Sequence, residues 1–262
     1  MCAGRLHPGI DAPMTPADVA PSRFGRFRSA MSESPPLLWA FVFFFCLLSG
    51  YYVLRPVRDA MGASSEVEAV FPPAMIAFFA QRGLSLQEMI LQVLSTCSFV
   101  LILAAQPLYG ALVSRFPRRV FLPVLFGFFI LCLLGFHLLF DSQVAGRGMV
   151  FFLWVTVFNV FSVAVFWSFM SDVFSHVEAK KYYGYIGAAG TIGAFTGPLI
   201  TRTLAEKVGL ANLMLVSAVF LAACVVCIWR LRRWALQREV KAGRDNESAM
   251  GGEILAGLKL IA

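Results

Sequence analysis

Apolar residues in this chain are gathered into six long runs that polar segments separate. Each run is free of charged residues, apolar on every side, and close to the roughly 20 residues that an α-helix needs to cross a bilayer. Transmembrane strands would be about ten residues long and would alternate apolar and polar positions, so the pattern indicates helices. We therefore predict an all-α membrane protein with six transmembrane helices, at residues 37–54, 89–114, 120–140, 149–171, 182–201 and 208–229.

The polar segments divide the chain into three parts. Residues 1–36 predict a disordered cytoplasmic tail, because no apolar stretch directly follows their basic residues as a secretory signal requires. Met31 is an alternative start of translation. Residues 37–232 are the predicted six-helix bundle, and 233–262 a cytoplasmic linker that leads toward a further element. The apolar stretch 69–80 is too short to cross, so we expect it on the outer interface.

Composition and charge support the membrane assignment and orient it. Hydrophobic residues make up 59% of the 262 residues and charged residues only 14%, which excludes an ordinary soluble domain. With both termini inside, 16 Lys and Arg residues fall on the cytoplasmic side and 6 on the other. Cytoplasmic loops carry this positive excess, so the count predicts an N-in, C-in topology. The excess also accounts for the net charge of +7 without nucleic-acid binding.

The sequence does not predict catalytic or metal chemistry. Five of the six cysteines lie inside predicted spans, where they act as small apolar side chains. Cys224 and Cys227 form a CxxC pair, but neither a second pair nor a histidine is near it in sequence, so we predict no metal and no cofactor. A nucleophile–base pair or a paired-carboxylate site is also missing from the spans, and we predict that the protein is not an enzyme.

Charged residues directly follow the first span, at Arg55, Arg58 and Asp59. Ionisable groups at membrane depth usually face a cavity or a partner. One interpretation is that the arginines snorkel to the interface. The other is an anion-binding pair, in which Asp59 holds Arg58 while Arg55 is free to meet a phosphate or carboxylate through charge-assisted hydrogen bonds.

Polar residues also mark the fourth span. Asn159, Ser162 and Phe166 stand at steps of three and four, so they share one helix face. Such a stripe joins neighbouring helices more often than it lines a substrate path, and both interpretations stay open. With Trp167 beside it, the face is a candidate substrate site. In the following loop, Asp172 and Lys180 are candidates for gating, against the alternative of a solvated loop with internal ion pairs.

Two further motifs resemble the major facilitator superfamily. Gly110, Arg115, Arg118 and Arg119 fit the loop that joins the second and third helices of that family and gates its cytoplasmic side, although Ser114 replaces the acidic residue and Pro117 a glycine. The fifth span resembles the GxxxGP signature of antiporters in that family. Small residues at this spacing let helices approach closely. The predicted packing residues are Gly187, Gly190, Gly193, Gly197 and Pro198.

Three segments together resemble the nucleotide transporter family that exchanges ATP for ADP: YYVLRPVRD at 51–59, FWSF at 166–169 and EAKKYYGYIG at 178–187. The resemblance covers the first, fourth and fifth spans. It implies that Arg58 contacts nucleotide phosphates, although that family has lysine there. It also implies an acidic residue in the fourth helix, where this chain has only Asn159.

These patterns predict the N-terminal half of a secondary transporter of major facilitator type, which works by alternating access on an anionic organic solute such as a nucleotide. The expected partners are the lipid bilayer, that solute, and a second six-helix half in the same or another chain. The expected location is the bacterial inner membrane. The alternative function is a six-helix membrane scaffold or sensor that does not transport.

Overall fold

The computed structural model describes residues 34–242 except 65, 116–117 and 143, and it leaves the side chains of 108–109, 112–115, 118–120, 141 and 238–242 undescribed. Within these residues the chain forms eight α-helices and no strand. In chain order, α1 to α8 are Pro35–Gly62, Val67–Val70, Pro73–Ala80, Leu86–Arg115, Arg118–Asp141, Arg147–Val173, His176–Val208 and Leu210–Ala242.

Five of these helices, α1, α4, α5, α6 and α8, are long and apolar enough to cross a membrane, and they confirm the all-α membrane fold. The sixth long helix, α7, contains the predicted span 182–201 and has 33 residues, or about 50 Å. It is less apolar because glycine, alanine and threonine stand where the other spans carry leucine and phenylalanine. The sixth span therefore stays a prediction.

The helices extend beyond the apolar runs. The first begins at Pro35, inside the predicted tail, and ends at Gly62, two turns past the predicted end. The last continues to Ala242, ten residues into the predicted linker. Residues 1–33 and 243–262 of the predicted tail and linker lie outside the described part, and the domain boundaries stay predictions.

Helix α1 lies at the centre of the bundle, between α7 and α8. Its backbone carbonyls accept hydrogen bonds from both neighbours. Thr201 Oγ1 of α7 donates to the Val53 carbonyl at 2.9 Å, and Ser217 Oγ of α8 donates to the Gly50 carbonyl at 2.9 Å. On its other side Phe43 meets Phe166 of α6, with 4.9 Å between ring centroids. Helix α1, the first helix of the described part, is therefore the most enclosed of the candidate spans.

The segment 67–80, which we call the outer cap, covers the end of the bundle where α1 finishes. Val70 and Phe71 are fully buried. The Gly146 N–H donates to the Glu68 carbonyl at 3.1 Å, and a Cβ added at Gly148 would come within 3.0 Å of the Val70 Cα. The cap is thus fastened to the start of α6, while α3 within it has no buried residue.

Candidate functional site

Three charged residues lie together in the last turns of α1. Arg58 Nε and Nη2 donate to Asp59 Oδ1 at 3.0 and 2.7 Å. Arg55 Nε lies 3.7 Å from Asp59 Oδ2, because residues four apart are neighbours on a helix surface. Arg55 therefore also faces Asp59, and its contact with a phosphate or carboxylate stays a prediction. Two cations share one anion, and the group keeps a net charge of +1.

The two arginines differ in burial. The Arg58 side chain is 17% exposed and the Arg55 side chain 46%. The Arg58 guanidinium lies 5.3 Å from the centroid of the Phe152 ring, and that of Arg55 lies 5.4 Å from the Tyr52 ring. The exposure of Arg55 fits a side chain that snorkels to water. The burial of Arg58 does not, so Arg58 is the enclosed cation of the group.

The charged group is part of a helix, not of a loop. Helix α1 passes through Pro56, which has no N–H to donate to the Tyr52 carbonyl. Beyond it Val57 is 3% exposed, so one face of the final turns still packs inside the bundle. This packing continues the helix past the first charge, which is where the apolar run in the sequence stops.

Phe152 belongs to the site, and the sequence did not predict it. Its ring contacts Arg58, and a Cβ added at Gly62 would come within 3.3 Å of it. The same side chain is buried in the cluster that holds the outer cap, with Val70, Phe71, Leu86, Ile90 and Leu94. No local signal sets Phe152 apart from the other phenylalanines of its span. Only the tertiary contact of α6 with the end of α1 does so.

Asn159 and Trp167 lie on the same helix as Phe152 but farther from Arg58. Seven and 15 residues separate them from Phe152, or about 10 and 22 Å along α6. The Trp167 ring instead contacts Phe44 of α1 at 5.3 Å and Tyr183 of α7 at 5.1 Å. The predicted substrate residues are thus spread along the helix and not gathered at one point.

Ser162, which the sequence placed on the same polar stripe, is satisfied inside its own helix. Its hydroxyl donates to the Phe158 carbonyl at 2.5 Å, and it is almost fully buried. It therefore makes no side-chain bridge to another helix among the contacts that the structure describes.

The predicted gating residues lie at the opposite end of the bundle from Arg58. Helix α4 ends at Arg115 and α5 begins at Arg118. The side chains of Arg115, Arg118 and Arg119 lie outside the described residues. A Cβ added at Gly110 would meet no atom of the described residues within 4 Å. The loop assignment stays a prediction.

The turn between α6 and α7 holds the other two gating candidates. Asp172 is half-buried and interacts electrostatically with Tyr183, while Lys180 is exposed. Ser175 and Glu178 close a capping box at the start of α7, in which Glu178 accepts from the Ser175 N–H at 2.9 Å. The spacing Ser-x-x-Glu signals such a box, and the sequence interpretation missed it.

A set of glycines, which we call the glycine seam, brings α7 against α1. Its members are Gly190, Gly193 and Gly197. A Cβ at Gly193 would come within 2.7 Å of the Phe45 carbonyl oxygen, and one at Gly197 would meet Tyr52 and come within 2.9 Å of the Val53 nitrogen. Gly187 and Pro198 lie outside the contact. A Cβ at Gly187 would meet nothing within 4 Å, and Pro198 is exposed.

The thiols of Cys46, Cys224 and Cys227 are buried and unbridged. Cys224 Sγ lies 3.7 Å from the Phe43 carbonyl oxygen, between α8 and α1. Within the described residues, no three or more His, Cys, Asp or Glu side chains are grouped so that they could hold a metal ion.

The sequence profile of the Major Facilitator Superfamily matches residues 67–260. The chain is similar to ADP,ATP carrier protein 1 of Chlamydia muridarum (strain MoPn / Nigg), with 24% identity over an alignment of 284 positions that covers 90% of this chain and 51% of the relative. The chain thus spans about half the length of that relative. No solved structure matches the chain significantly.

Proposed function

This chain belongs to the Major Facilitator Superfamily, and from that membership we propose that it forms part of a secondary transporter that moves an anionic organic solute by alternating access. Arg58 is the residue that contacts the charge of the solute. A nucleotide is the leading candidate, because the bacterial relative is named an ADP,ATP carrier. Because that relative is bacterial, the proposed location is the bacterial inner membrane.

The burial of Arg58 is the observation that carries the proposal. A charge removed from water is costly unless it is paired and hydrogen-bonded. Asp59 supplies that pairing, but it also faces Arg55. The group as a whole keeps one positive charge at the end of a membrane helix. An incoming anion neutralises this charge, whereas a cation would be repelled by it.

Asp59 also suggests how the site exchanges its ligand. In the structure it accepts from Nε and Nη2 of Arg58, which leaves the other donors of the guanidinium for a second acceptor. A phosphate or carboxylate would bind those donors and weaken the contact with Asp59. When the solute leaves, Asp59 takes back the guanidinium, so Arg58 never lies buried without an anion.

The glycine seam supports alternating access. Because α7 packs against the backbone of α1 at Gly193 and Gly197, these two helices are expected to move as one body and to carry Arg58 with them. Transporters with related halves rock such bodies around a central site. We propose that a second six-helix half, in the same or another chain, completes that site, with Asn159 and Trp167 lining the path beyond Arg58.

Uptake by the full-length protein in proteoliposomes tests this proposal. Labelled ATP, ADP and a panel of organic carboxylates serve as substrates. Arg58→Ala should lower uptake of the transported anion at least about 30-fold, since breaking a charge-assisted contact in a buried site costs more than about 2 kcal/mol. Arg82→Ala is the matched control, because Arg82 is also an arginine at this end but is exposed in the turn after α3 and stacks on Phe78.

Equal uptake by Arg58→Ala and the unsubstituted protein would remove Arg58 from the site. If no nucleotide and no organic anion is bound or carried, the proposal of an anion transporter fails as a whole. The alternative of a six-helix scaffold or sensor would then be favoured.

A further inference from the structure

One face of α8 changes from aliphatic to basic along its length. Val219 and Val226 are exposed on this face, Trp229 follows with 61% exposure, and Arg230 and Arg233 come next. Steps of seven, three and four residues keep these positions on one stripe of a helix. The opposite face of the helix is buried and carries Cys227, Ile228 and Leu231. The stripe is therefore a continuous outer surface of the bundle.

The depth of this surface follows from the length of the helix. About 20 residues cross the hydrocarbon core, and counted from Leu210 this distance ends at Trp229. Helix α8 continues to Ala242, so Arg230 and Arg233 stand at the level of the lipid headgroups. Tryptophan is enriched at this level, because its ring is apolar and its N–H is polar.

A contact with α1 fixes one side of this surface. The Arg230 guanidinium lies 5.4 Å from the ring centroid of Trp39, near the start of α1. In the part of the chain that the structure describes, the ion pairs all involve Asp59, so no carboxylate there neutralises Arg230 or Arg233. Two cations that no described carboxylate pairs with, three residues apart, thus stand beside an exposed indole.

We propose that Trp229, Arg230 and Arg233 form a binding site for the headgroup of an anionic phospholipid. The exposed valines of the same stripe contact its acyl chains, the indole lies at the glycerol level, and the two guanidinium groups bind the phosphate. A lipid fits better than a soluble anion, because the aliphatic part of the stripe continues directly into the basic part. The charge distribution of the loops places this site in the cytoplasmic leaflet.

Lipid binding to the full-length protein in phosphatidylcholine nanodiscs tests the inference. Increasing fractions of phosphatidylglycerol with brominated acyl chains are added, and quenching of tryptophan fluorescence is measured. Saturable quenching is expected with brominated phosphatidylglycerol and not with brominated phosphatidylcholine. Trp229→Phe should remove the larger part of the saturable component, and Trp39, which contacts Arg230, should account for what remains.

The double variant Arg230→Gln with Arg233→Gln should weaken phosphatidylglycerol binding about 25-fold, from about fivefold for each arginine at the surface. The variant with lysine at both positions should keep most of the affinity, which separates loss of charge from loss of fold. The matched control replaces Arg82 and Arg202 with glutamine, since both are exposed at the other end of the bundle, and it should bind as the unsubstituted protein does.

Three results would overturn the inference. An equal loss in the Arg82 and Arg202 control would show a general effect of net charge. Equal quenching by phosphatidylcholine would show that the headgroup charge is not recognised. Displacement of the lipid by millimolar inorganic phosphate would show that the two arginines form a site for soluble anions.

Discussion

The two parts of α1 are held by different forces. From Phe44 to Val53 the helix lies against the glycine seam, which meets the side chain of Phe44 at Gly190 and the backbone of α1 at Gly193 and Gly197, too closely for a larger residue. From Arg55 to Asp59 the side chains pair with one another within α1, and Arg58 also contacts the ring of Phe152 on α6. The first kind of contact has one arrangement. Under the proposed function, the second exchanges Asp59 for the anion of the solute, so a rigid helix presents a replaceable ion pair.

Breaking the rigid part should have the largest effect. Gly197→Val adds a branched side chain where even a Cβ would meet Tyr52 and the Val53 backbone, so α7 must move away from α1. We expect the free energy of unfolding to fall by about 3 kcal/mol, as overpacking of a dense contact does. Thermal unfolding in mild detergent, followed by size-exclusion chromatography, measures this change.

Gly187→Val is the matched control, because it makes the same substitution on the same helix where a Cβ would meet nothing. Its cost should be small by comparison. Similar destabilisation by both variants would mean that helix propensity, and not the seam, determines the result, and the contrast between the two parts of α1 would disappear.

The seam shows how far the sequence can predict packing. Small residues at steps of three and four predicted that α7 approaches another helix, and Gly190, Gly193 and Gly197 do so. The same spacing included Gly187, which faces open space. Gly187 differs from the other three glycines in the side of α7 on which it lies, since that side does not face α1. The side that faces α1 depends on how the helices cross, which a single helix pattern does not contain.

The charged part was predictable in composition but not in arrangement. Arg58 and Asp59 were expected to pair, since they are adjacent and of opposite sign, and they do. The share of Asp59 taken by Arg55 depends on α1 continuing as a helix through Pro56. The apolar run gave no sign of that continuation, because it measures only where the uncharged segment stops. Phe152 reaches the site from 94 positions away, and only the fold brings it there.

A substitution of Phe152 alters the surroundings of Arg58 without removing a charge. Phe152→Leu keeps an apolar side chain in the cluster of the outer cap but removes the ring beside Arg58. A desolvated cation–π contact is worth about 1–2 kcal/mol, so affinity for the transported anion should fall about 5- to 30-fold. Equilibrium binding of the labelled anion to the full-length protein measures it.

Phe99→Leu is the control, since Phe99 is exposed on α4. It should leave affinity unchanged. If Phe152→Leu lowers thermal stability but not affinity, the ring only packs the outer cap. Phe152 would then have no part in binding of the anion by Arg58.

The smallest expected effect lies at the boundary between the two parts of α1. Thr201 Oγ1 donates to the Val53 carbonyl, just before the charged turns begin, and also approaches its own Gly197 carbonyl at 3.2 Å. Thr201→Val keeps the shape and removes the hydrogen bond between helices. Such bonds contribute about 0.6 kcal/mol on average in membrane proteins, and equilibrium unfolding in mixed detergent micelles should show a loss of that size.

Thr203→Val is the matched control, because Thr203 is exposed and donates only to carbonyls of its own helix among the described contacts. This substitution should leave the stability of the protein unchanged. A loss of several kcal/mol at Thr201 would instead mean that this single bond, and not the glycine seam, holds α7 to α1.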